Sequence, residues 1–123
     1  MEGQGPVAER ESWRTGEAEA LLDAIVQLET REDAALFMRD LCTLGELRNM
    51  AQRWAVVRLL EAGQHYGQIS AETGASTATI TRIASWLHHG DGGYRLLLDR
   101  LDRSKRRATK RQPPTTYPAG AEA

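Results

Sequence analysis

The chain has 123 residues, enough for one domain, and its formal net charge at pH 7 is −1. Its single cysteine, Cys42, excludes an internal disulfide and argues against a cysteine-based metal site. No apolar run approaches the length that a membrane-spanning helix needs, so we expect a cytoplasmic protein with no membrane partner.

The charge is distributed unevenly, and both ends differ in composition from the middle. Residues 100–123 contain seven basic and two acidic residues, a net charge of +5, which leaves −6 for residues 1–99. We expect residues 1–14 to form a disordered arm, residues 15–102 a helical domain, and residues 103–123 a basic and then proline-rich disordered tail. Two interpretations of the tail are open: it contacts nucleic-acid phosphates, or it only aids solubility.

The first two predicted helices begin at threonine N-caps. Thr15 precedes a helix with acidic residues in its first turn, where the helix macrodipole favours them. Thr30 with Asp33 resembles a capping box and predicts a second helix that ends near Cys42. The first helix carries an apolar stripe, which predicts one buried face: Leu21, Leu22, Ile25, Val26 and Leu28.

A third, longer helix is predicted from Leu44 to Ala62. Thr43 with Glu46 repeats the capping box at its start, and Gly63 is a C-cap signal at its end. Its apolar residues cover more than half of its circumference: Leu47, Met50, Ala51, Trp54, Val56, Val57, Leu59 and Leu60. A helix of that kind needs partners on more than one side, which favours a homodimer; a monomeric bundle with this helix at its centre is the alternative.

Two short helices joined by a tight turn are predicted between Tyr66 and about residue 88. Gly74 stands at the corner, where a left-handed backbone is needed, and Ser76 is a good N-cap for the second helix. Small and hydroxyl-bearing side chains follow that cap: Thr77, Ala78, Thr79 and Thr81. The spacing favours a helix-turn-helix that approaches a DNA groove; an ordinary helical hairpin with solvated threonines is the alternative.

The next segment, from His88 to Gly93, favours neither a metal site nor a phosphate loop. His88 and His89 are adjacent, so on a helix they point about 100° apart and cannot chelate one ion from one face. Gly90 is predicted to cap this helix. A last helix is then predicted from Tyr94 to Leu101, with three leucines facing inward: Leu97, Leu98 and Leu101.

One motif in the chain resembles the Trp repressor superfamily: G-A-S-T-A-T-I-T-R, after a long helix that ends L-L-E-A-G. The wider pattern is most similar to the YerC/YecD-type subgroup of Trp-repressor-related regulators: D-L-C-T-L-G-E-L-R-N-M-A-Q-R-W and, after the motif, L-H-H-G-D-G-G-Y. The similarity spans residues 21–101. It implies an all-α, intertwined homodimer with six helices per subunit that binds operator DNA through one recognition helix per subunit.

The resemblance also implies DNA contacts for individual residues. It places Thr77, Ala78 and Thr81 at recognition-helix positions that face base edges. Threonine hydroxyls can hydrogen-bond to several bases, and the alanine and threonine methyl groups suit the methyl group of thymine. Supporting or phosphate contacts are expected from four further residues: Gln68, Ser76, Thr79 and Arg82.

The corepressor site of the Trp repressor is where this sequence departs from the family. Two arginines hold the indole ring there; Arg82 matches the first, but Gln52 stands at the position of the second. Ile83 replaces a glycine that leaves room for the ligand, and Trp86 replaces a small serine. We therefore expect Ile83 and Trp86 to fill the slot, so that the protein does not respond to free tryptophan and Arg82 can contact a phosphate.

The predicted function is that of a sequence-specific DNA-binding transcriptional regulator, a homodimer without a cofactor or metal; whether an effector binds is left open. Two alternatives are a helix-turn-helix accessory protein in replication or recombination, and a protein-interaction module that does not bind DNA. An enzyme is not expected, because the acidic residues are spread over different helices and no nucleophile and base have a useful spacing.

Overall fold

The computed structural model describes residues 12–111, with side chains as far as residue 109. This part of the chain contains six α-helices and no strand, as predicted. The helices are α1 Gly16–Ile25, α2 Arg31–Leu41, α3 Leu44–Glu61, α4 Tyr66–Thr73, α5 Thr77–His89 and α6 Gly93–Arg111. No helix in the described range is long and apolar enough to cross a lipid bilayer. Most of the predicted arm, residues 1–11, and the tail from residue 112 lie outside the described residues.

The chain divides into two compact units between Leu47 and Arg48, inside α3. In the first unit the predicted helix starts are confirmed. The hydroxyl of Thr15 accepts a hydrogen bond from the backbone N–H of Ala18, and that of Thr30 accepts one from Asp33. The Thr43 hydroxyl accepts from the Glu46 N–H at 3.1 Å, while the Glu46 carboxylate accepts from the Thr43 N–H at 2.8 Å, a complete capping box.

No residue of α1 or α2 is buried. The prediction that α1 buries its apolar face is therefore wrong for the single chain: 74% of the Val26 surface is exposed, and Leu21 and Ile25 are also exposed. The stripe itself is present, but its two least exposed residues, Leu22 and Leu28, are only half-buried. α1 and α2 therefore have hydrogen-bonded N-caps but no buried hydrophobic residues.

The second unit, residues 48–111, contains the whole hydrophobic core of the described chain. Three helices contribute to it, together with the residue after the corner: Val56, Val57, Ile69, Ala75, Ile80, Ile83 and Leu87. Partly buried side chains pack around these residues, among them Trp54 of α3 and Tyr94 of α6, whose ring centroids are 6.2 Å apart. Because the core lies between α3 and the helix pair α4–α5, it fixes which side of α5 is buried and which side faces the solvent.

The junction between α5 and α6 depends on a close backbone approach. Gly90 caps α5 as predicted, and its N–H donates to the carbonyl oxygen of Trp86. A Cβ atom at this position would lie only 2.4 Å from that oxygen, so no larger residue fits without moving the backbone. Three residues, 90–92, separate the end of α5 from the start of α6.

The predicted end of the last helix, Leu101, is wrong, because α6 continues to Arg111. Arginine, lysine and alanine favour helix, Asp102 pairs with Arg106 one turn later, and no proline occurs between Leu101 and residue 113. The predicted tail is thus helical over residues 103–111. Of the three leucines predicted to face inward, only Leu98 packs against the core, while Leu97 and Leu101 remain about half exposed.

Candidate nucleic-acid interface

The corner between α4 and α5 is held by hydrogen bonds around Thr73. Gly74 adopts the left-handed conformation (φ 79°) that glycine tolerates best, as the sequence predicted. The Thr73 hydroxyl donates to the carbonyl oxygen of Ile69 at 2.8 Å and accepts from the N–H of Ala75 at 3.1 Å. Because one side chain bonds on both sides of the turn, the direction in which α5 starts is fixed.

A residue of α3 joins this corner from a distance in the sequence. The Gln52 side chain donates from Nε2 to the carbonyl oxygen of Thr73 at 3.0 Å, in a partly buried position. This hydrogen bond satisfies an acceptor at the end of α4 and ties α3 to the turn. The sequence did not predict this role, since Gln52 and Thr73 are 21 residues apart and no local pattern connects them.

The start of α5 has the predicted N-cap. Ser76 has an extended backbone, and its hydroxyl accepts from the N–H of Thr79 at 3.1 Å. It also donates to the Thr79 hydroxyl at 3.0 Å, and Arg82 donates to that same oxygen from Nη2 at 3.5 Å. Ser76, Thr79 and Arg82 thus form a connected polar group along the first two turns.

α5 has two contrasting faces. Its buried face is apolar: Ile80, Ile83, Ala84 and Leu87. The residues predicted to meet base edges, Thr77, Ala78 and Thr81, are all exposed, and so is Arg82 beside them. We call Thr77, Ala78, Thr81 and Arg82 the exposed face of α5. It combines hydroxyl donors and acceptors, small methyl groups and one guanidinium group on a helix whose other side is anchored in the core.

Gln68 lies in the first turn of α4 and is exposed. Its backbone N–H donates to the carbonyl oxygen of His65, the residue before the helix, and this hydrogen bond fixes the position of the Gln68 main chain. No hydrogen bond among the described residues connects its side chain to the exposed face of α5. The Gln68 side chain is therefore available to a ligand, and its predicted backbone contact with DNA stays a prediction.

The four predicted corepressor-slot residues occupy different environments. Ile83 is buried in the core, with 1% of its surface exposed. Gln52 is engaged at the corner, whereas Arg82 reaches Thr79 on the exposed side. Trp86 is 49% exposed, and the filling of the slot by its side chain stays a prediction.

An ion pair on the second unit joins the end of α3 to the start of α6. Arg95 donates from Nη1 and Nη2 to the two carboxylate oxygens of Glu61, each at 2.9 Å. These hydrogen bonds lower the pKa of the Glu61 carboxyl below its usual value and raise the pKa of Arg95. Asp99, one turn along α6, lies 3.6 Å from the same guanidinium group.

The described residues contain no group of three or more histidine, cysteine, aspartate or glutamate side chains that could hold a metal ion. The adjacent rings of His88 and His89 are 6.3 Å apart at their centroids, with an edge-on orientation. Both residues are exposed in the last turn of α5.

Comparison with known proteins agrees with this arrangement. The family model described as "Trp repressor protein" matches residues 16–102. The uncharacterised protein YerC of Bacillus subtilis (strain 168) is 42% identical over 88 residues, which cover 72% of this chain and 85% of that protein.

Two solved structures are similar in fold as well as in sequence. A TrpR-like protein from Eubacterium eligens ATCC 27750 has a TM-score of 0.70 and 35% identity, over 76% of this chain and 95% of that one. A candidate Trp repressor from Staphylococcus aureus also has a TM-score of 0.70, with 40% identity over 75% and 92% of the two chains. The match over residues 16–102 includes all of α1 to α5 and the first half of α6. The chain therefore belongs to the Trp repressor family.

Proposed function

We propose that this protein is a sequence-specific DNA-binding regulator of transcription that acts as a homodimer and does not respond to free tryptophan. One observation carries the proposal. The exposed face of α5 presents Thr77, Ala78, Thr81 and Arg82 to solvent, while the opposite face is locked into the core. A major groove admits an α-helix, and short hydroxyl and methyl side chains let the helix approach base edges closely.

The N-terminus of α5 supports binding to a phosphate. The Ser76 hydroxyl accepts from the Thr79 N–H, but the other N–H groups of the first turn have no acceptor within the helix, and the helix dipole has its positive end there. Both features attract anions. Arg82 adds a full positive charge one turn further on, and its present partner is the neutral Thr79 hydroxyl. In this proposal Ser76, Thr79 and Arg82 position the helix on the DNA backbone, while Thr77, Ala78 and Thr81 distinguish bases.

Selection of bound duplexes from a genomic library tests sequence-specific binding. We expect enrichment of a site with two related halves about one helical turn apart, as a two-fold symmetric dimer requires. Enriched fragments that map to promoters would support transcriptional regulation, and fragments that map to a replication origin would support the replication or recombination alternative. Binding to no duplex at any salt concentration would contradict the proposal and favour the protein-interaction alternative.

Unburied apolar residues support the homodimer. Val26 and Leu36 in the first unit are 74% and 62% exposed, and further large apolar side chains are exposed in both units: Leu21, Ile25, Leu41, Leu44, Trp86, Leu96, Leu97 and Leu101. Monomeric proteins rarely leave so many such side chains in water, and a second copy offers the same surfaces in return. In this proposal the two copies are intertwined.

Light scattering after gel filtration at micromolar concentration tests the dimer. We expect twice the subunit mass of 13.7 kDa. Leu36→Glu should give single subunits, because it places a charge on an exposed apolar position of α2. Ala35→Glu, an exposed neighbour about 100° around that helix, serves as the control. A wild-type mass of one subunit would contradict the homodimer.

The tryptophan-independent part of the proposal rests on two residues. Ile83 is held in the core at the position where the family leaves space for a ligand, and the Gln52 amide is already bonded to the corner. In a dimer, Trp86 would further close the slot. Isothermal titration with L-tryptophan should therefore show no binding; a micromolar dissociation constant would contradict this part of the proposal.

A further inference from the structure

The second half of α6 is a helix that lies in solvent. Every described side chain from Asp99 to Thr109 is exposed, although the helix is continuous from Gly93 to Arg111. Between residues 100 and 111 the sequence has seven basic residues and one acidic residue, Asp102. This half of α6 has so little apolar surface that it does not contribute to the core. Its high content of basic residues therefore needs another explanation.

The basic residues are concentrated on one face. Arg100, Arg103 and Arg107 recur at spacings of three and four, which places their side chains in a row along the helix. We call these three residues the basic face of α6. Lys105 points to the other side, and Arg106 is already paired with Asp102. No carboxylate of a described residue pairs with the basic face.

Like charges at these spacings repel one another and destabilise an isolated helix. An anionic partner with repeated charges would remove this repulsion. The guanidinium group binds phosphate through two parallel hydrogen bonds, which makes arginine well suited to a phosphate backbone. An anionic lipid surface fits less well, because helices that bind there also need a broad apolar face, and residues 102–111 contain no large apolar side chain.

The helix pair that faces the DNA in the proposed function has few positive charges. α4 and α5, from Tyr66 to His89, include one arginine, Arg82, no lysine, and one acidic residue, Glu72. Affinity for duplex DNA depends on several cations that displace counterions from the phosphates. The proposed interface therefore has groups to distinguish bases but lacks most of the charge that binding requires.

We infer that the basic face of α6 (Arg100, Arg103 and Arg107) is a second DNA-binding surface that binds the phosphates of the duplex without sequence preference. This inference rests on the proposed function and adds a division of roles to it. α5 determines which sequence is bound, and α6 supplies most of the salt-dependent affinity.

The test is the salt dependence of duplex binding by the full chain, measured by fluorescence anisotropy. In the triple variant R100Q/R103Q/R107Q, the slope of log K against log salt should fall by roughly 0.9 for each phosphate that is no longer neutralised. For every one of the three arginines that binds a phosphate in the wild type, each subunit of the triple variant neutralises one phosphate fewer. The ratio of affinities for selected and random duplexes should remain unchanged. Glutamine is a good helix former and all three positions are exposed, so circular dichroism should show an intact fold.

Two controls separate phosphate binding from a general effect of charge. The variant R100K/R103K/R107K keeps the charges and should keep most of the slope. The single variants Arg103→Gln and Lys105→Gln remove one charge each from opposite sides of the same helix, and only Arg103→Gln should reduce the slope. Equal reductions by the two would show that net charge alone matters, and this outcome would overturn the inference.

The outcomes also distinguish this inference from the proposed function. If the wild-type protein binds a selected duplex and the triple variant keeps the same slope, the inference on α6 is wrong while the proposed function stands. In that case, wild-type binding to phosphatidylserine vesicles, abolished in the triple variant, would assign the basic face to an anionic membrane. If the wild-type protein binds no duplex, both proposals fail.

Discussion

Single residues at the corner of the helix-turn-helix determine how α5 is presented. Thr73 bonds to both sides of the turn, and Gln52 bonds to Thr73 from α3. These hydrogen bonds involve uncharged groups in partly buried positions, where removal of one partner leaves a donor or acceptor unsatisfied. The exposed face of α5 can vary chemically with little effect on the fold, because none of its four residues is part of the core.

Gln52→Ala should lower the free energy of unfolding by about 0.5–1.5 kcal/mol, because the Thr73 carbonyl loses a hydrogen-bond partner. Urea denaturation measures this difference. Asn49→Ala is a matched control, since Asn49 is exposed on the same helix, and its effect should be close to zero. A Gln52→Ala protein as stable as the Asn49→Ala protein would show that water replaces the amide as donor.

Thr81→Ala should reduce discrimination at one base position by about 1–3 kcal/mol with little effect on stability, because Thr81 is exposed and its hydroxyl is proposed to read a base edge. Competition between duplexes that differ at single positions measures this reduction. Thr109→Ala removes an exposed hydroxyl elsewhere and should change nothing. A uniform loss of affinity for all sequences would instead assign Thr81 to a phosphate.

At the scale of the helices, the sequence predicted where each helix starts better than where the last one ends. The N-caps Thr15, Thr30 and Ser76 and the left-handed Gly74 are local features, because each depends on residues within one turn. The continuation of α6 past Leu101 was not predicted, because helix propensity and one i,i+4 ion pair are weaker signals than the change in composition. The position of Thr77, Ala78 and Thr81 after the N-cap predicted that they lie on the exposed side of α5, and the family resemblance added Arg82. Their binding to DNA remains to be measured.

Hydrogen bonds and ion pairs between residues far apart in the sequence could not be predicted from local sequence signals. Gln52 and Thr73 are 21 residues apart, and Glu61 and Arg95 are 34 apart. Nothing in the residue types at either end selects the partner at the other. Such pairs follow from how the helices pack, whereas caps follow from how a single helix begins.

Gly74→Ala should destabilise the protein by about 1–2 kcal/mol, because alanine is strained at φ 79°. Gly67→Ala is the matched control within α4: a Cβ there meets nothing within 4 Å, and alanine favours helix. This second change should be neutral or stabilising. Thermal unfolding of both variants measures the difference, and equal stabilities would contradict a strained corner.

At the scale of the whole molecule, the end of α3 and the start of α6 are connected by Glu61 and Arg95. Arg95 lowers the pKa of the Glu61 carboxyl in the folded chain, so the charged carboxylate favours the folded state. The resulting stabilisation is fully present above the usual carboxyl pKa of 4.5 and is lost as the pH falls through the lower folded value. Both side chains are partly exposed, so the effect is reduced by solvent and salt.

Glu61→Gln should therefore lower the melting temperature slightly at pH 7, and the difference from wild type should shrink as the pH falls below 4.5. Melting curves at low ionic strength between neutral and acidic pH measure this convergence. Glu32→Gln, which removes a carboxylate from exposed α2, is the control for the change in net charge. Parallel curves for wild type and Glu61→Gln at all pH values would show that the ion pair does not contribute.

The location of the hydrophobic core has a consequence for synthesis on the ribosome. All core residues lie between Val56 and Leu87, so the elements that condense together are neighbours in sequence, a property typical of rapid folding. α1 and α2 precede these residues in the chain and have no buried residue of their own. We expect the second unit to fold as soon as its residues have left the ribosomal exit tunnel, while α1 and α2 stay accessible to proteases until the second copy of the proposed homodimer binds.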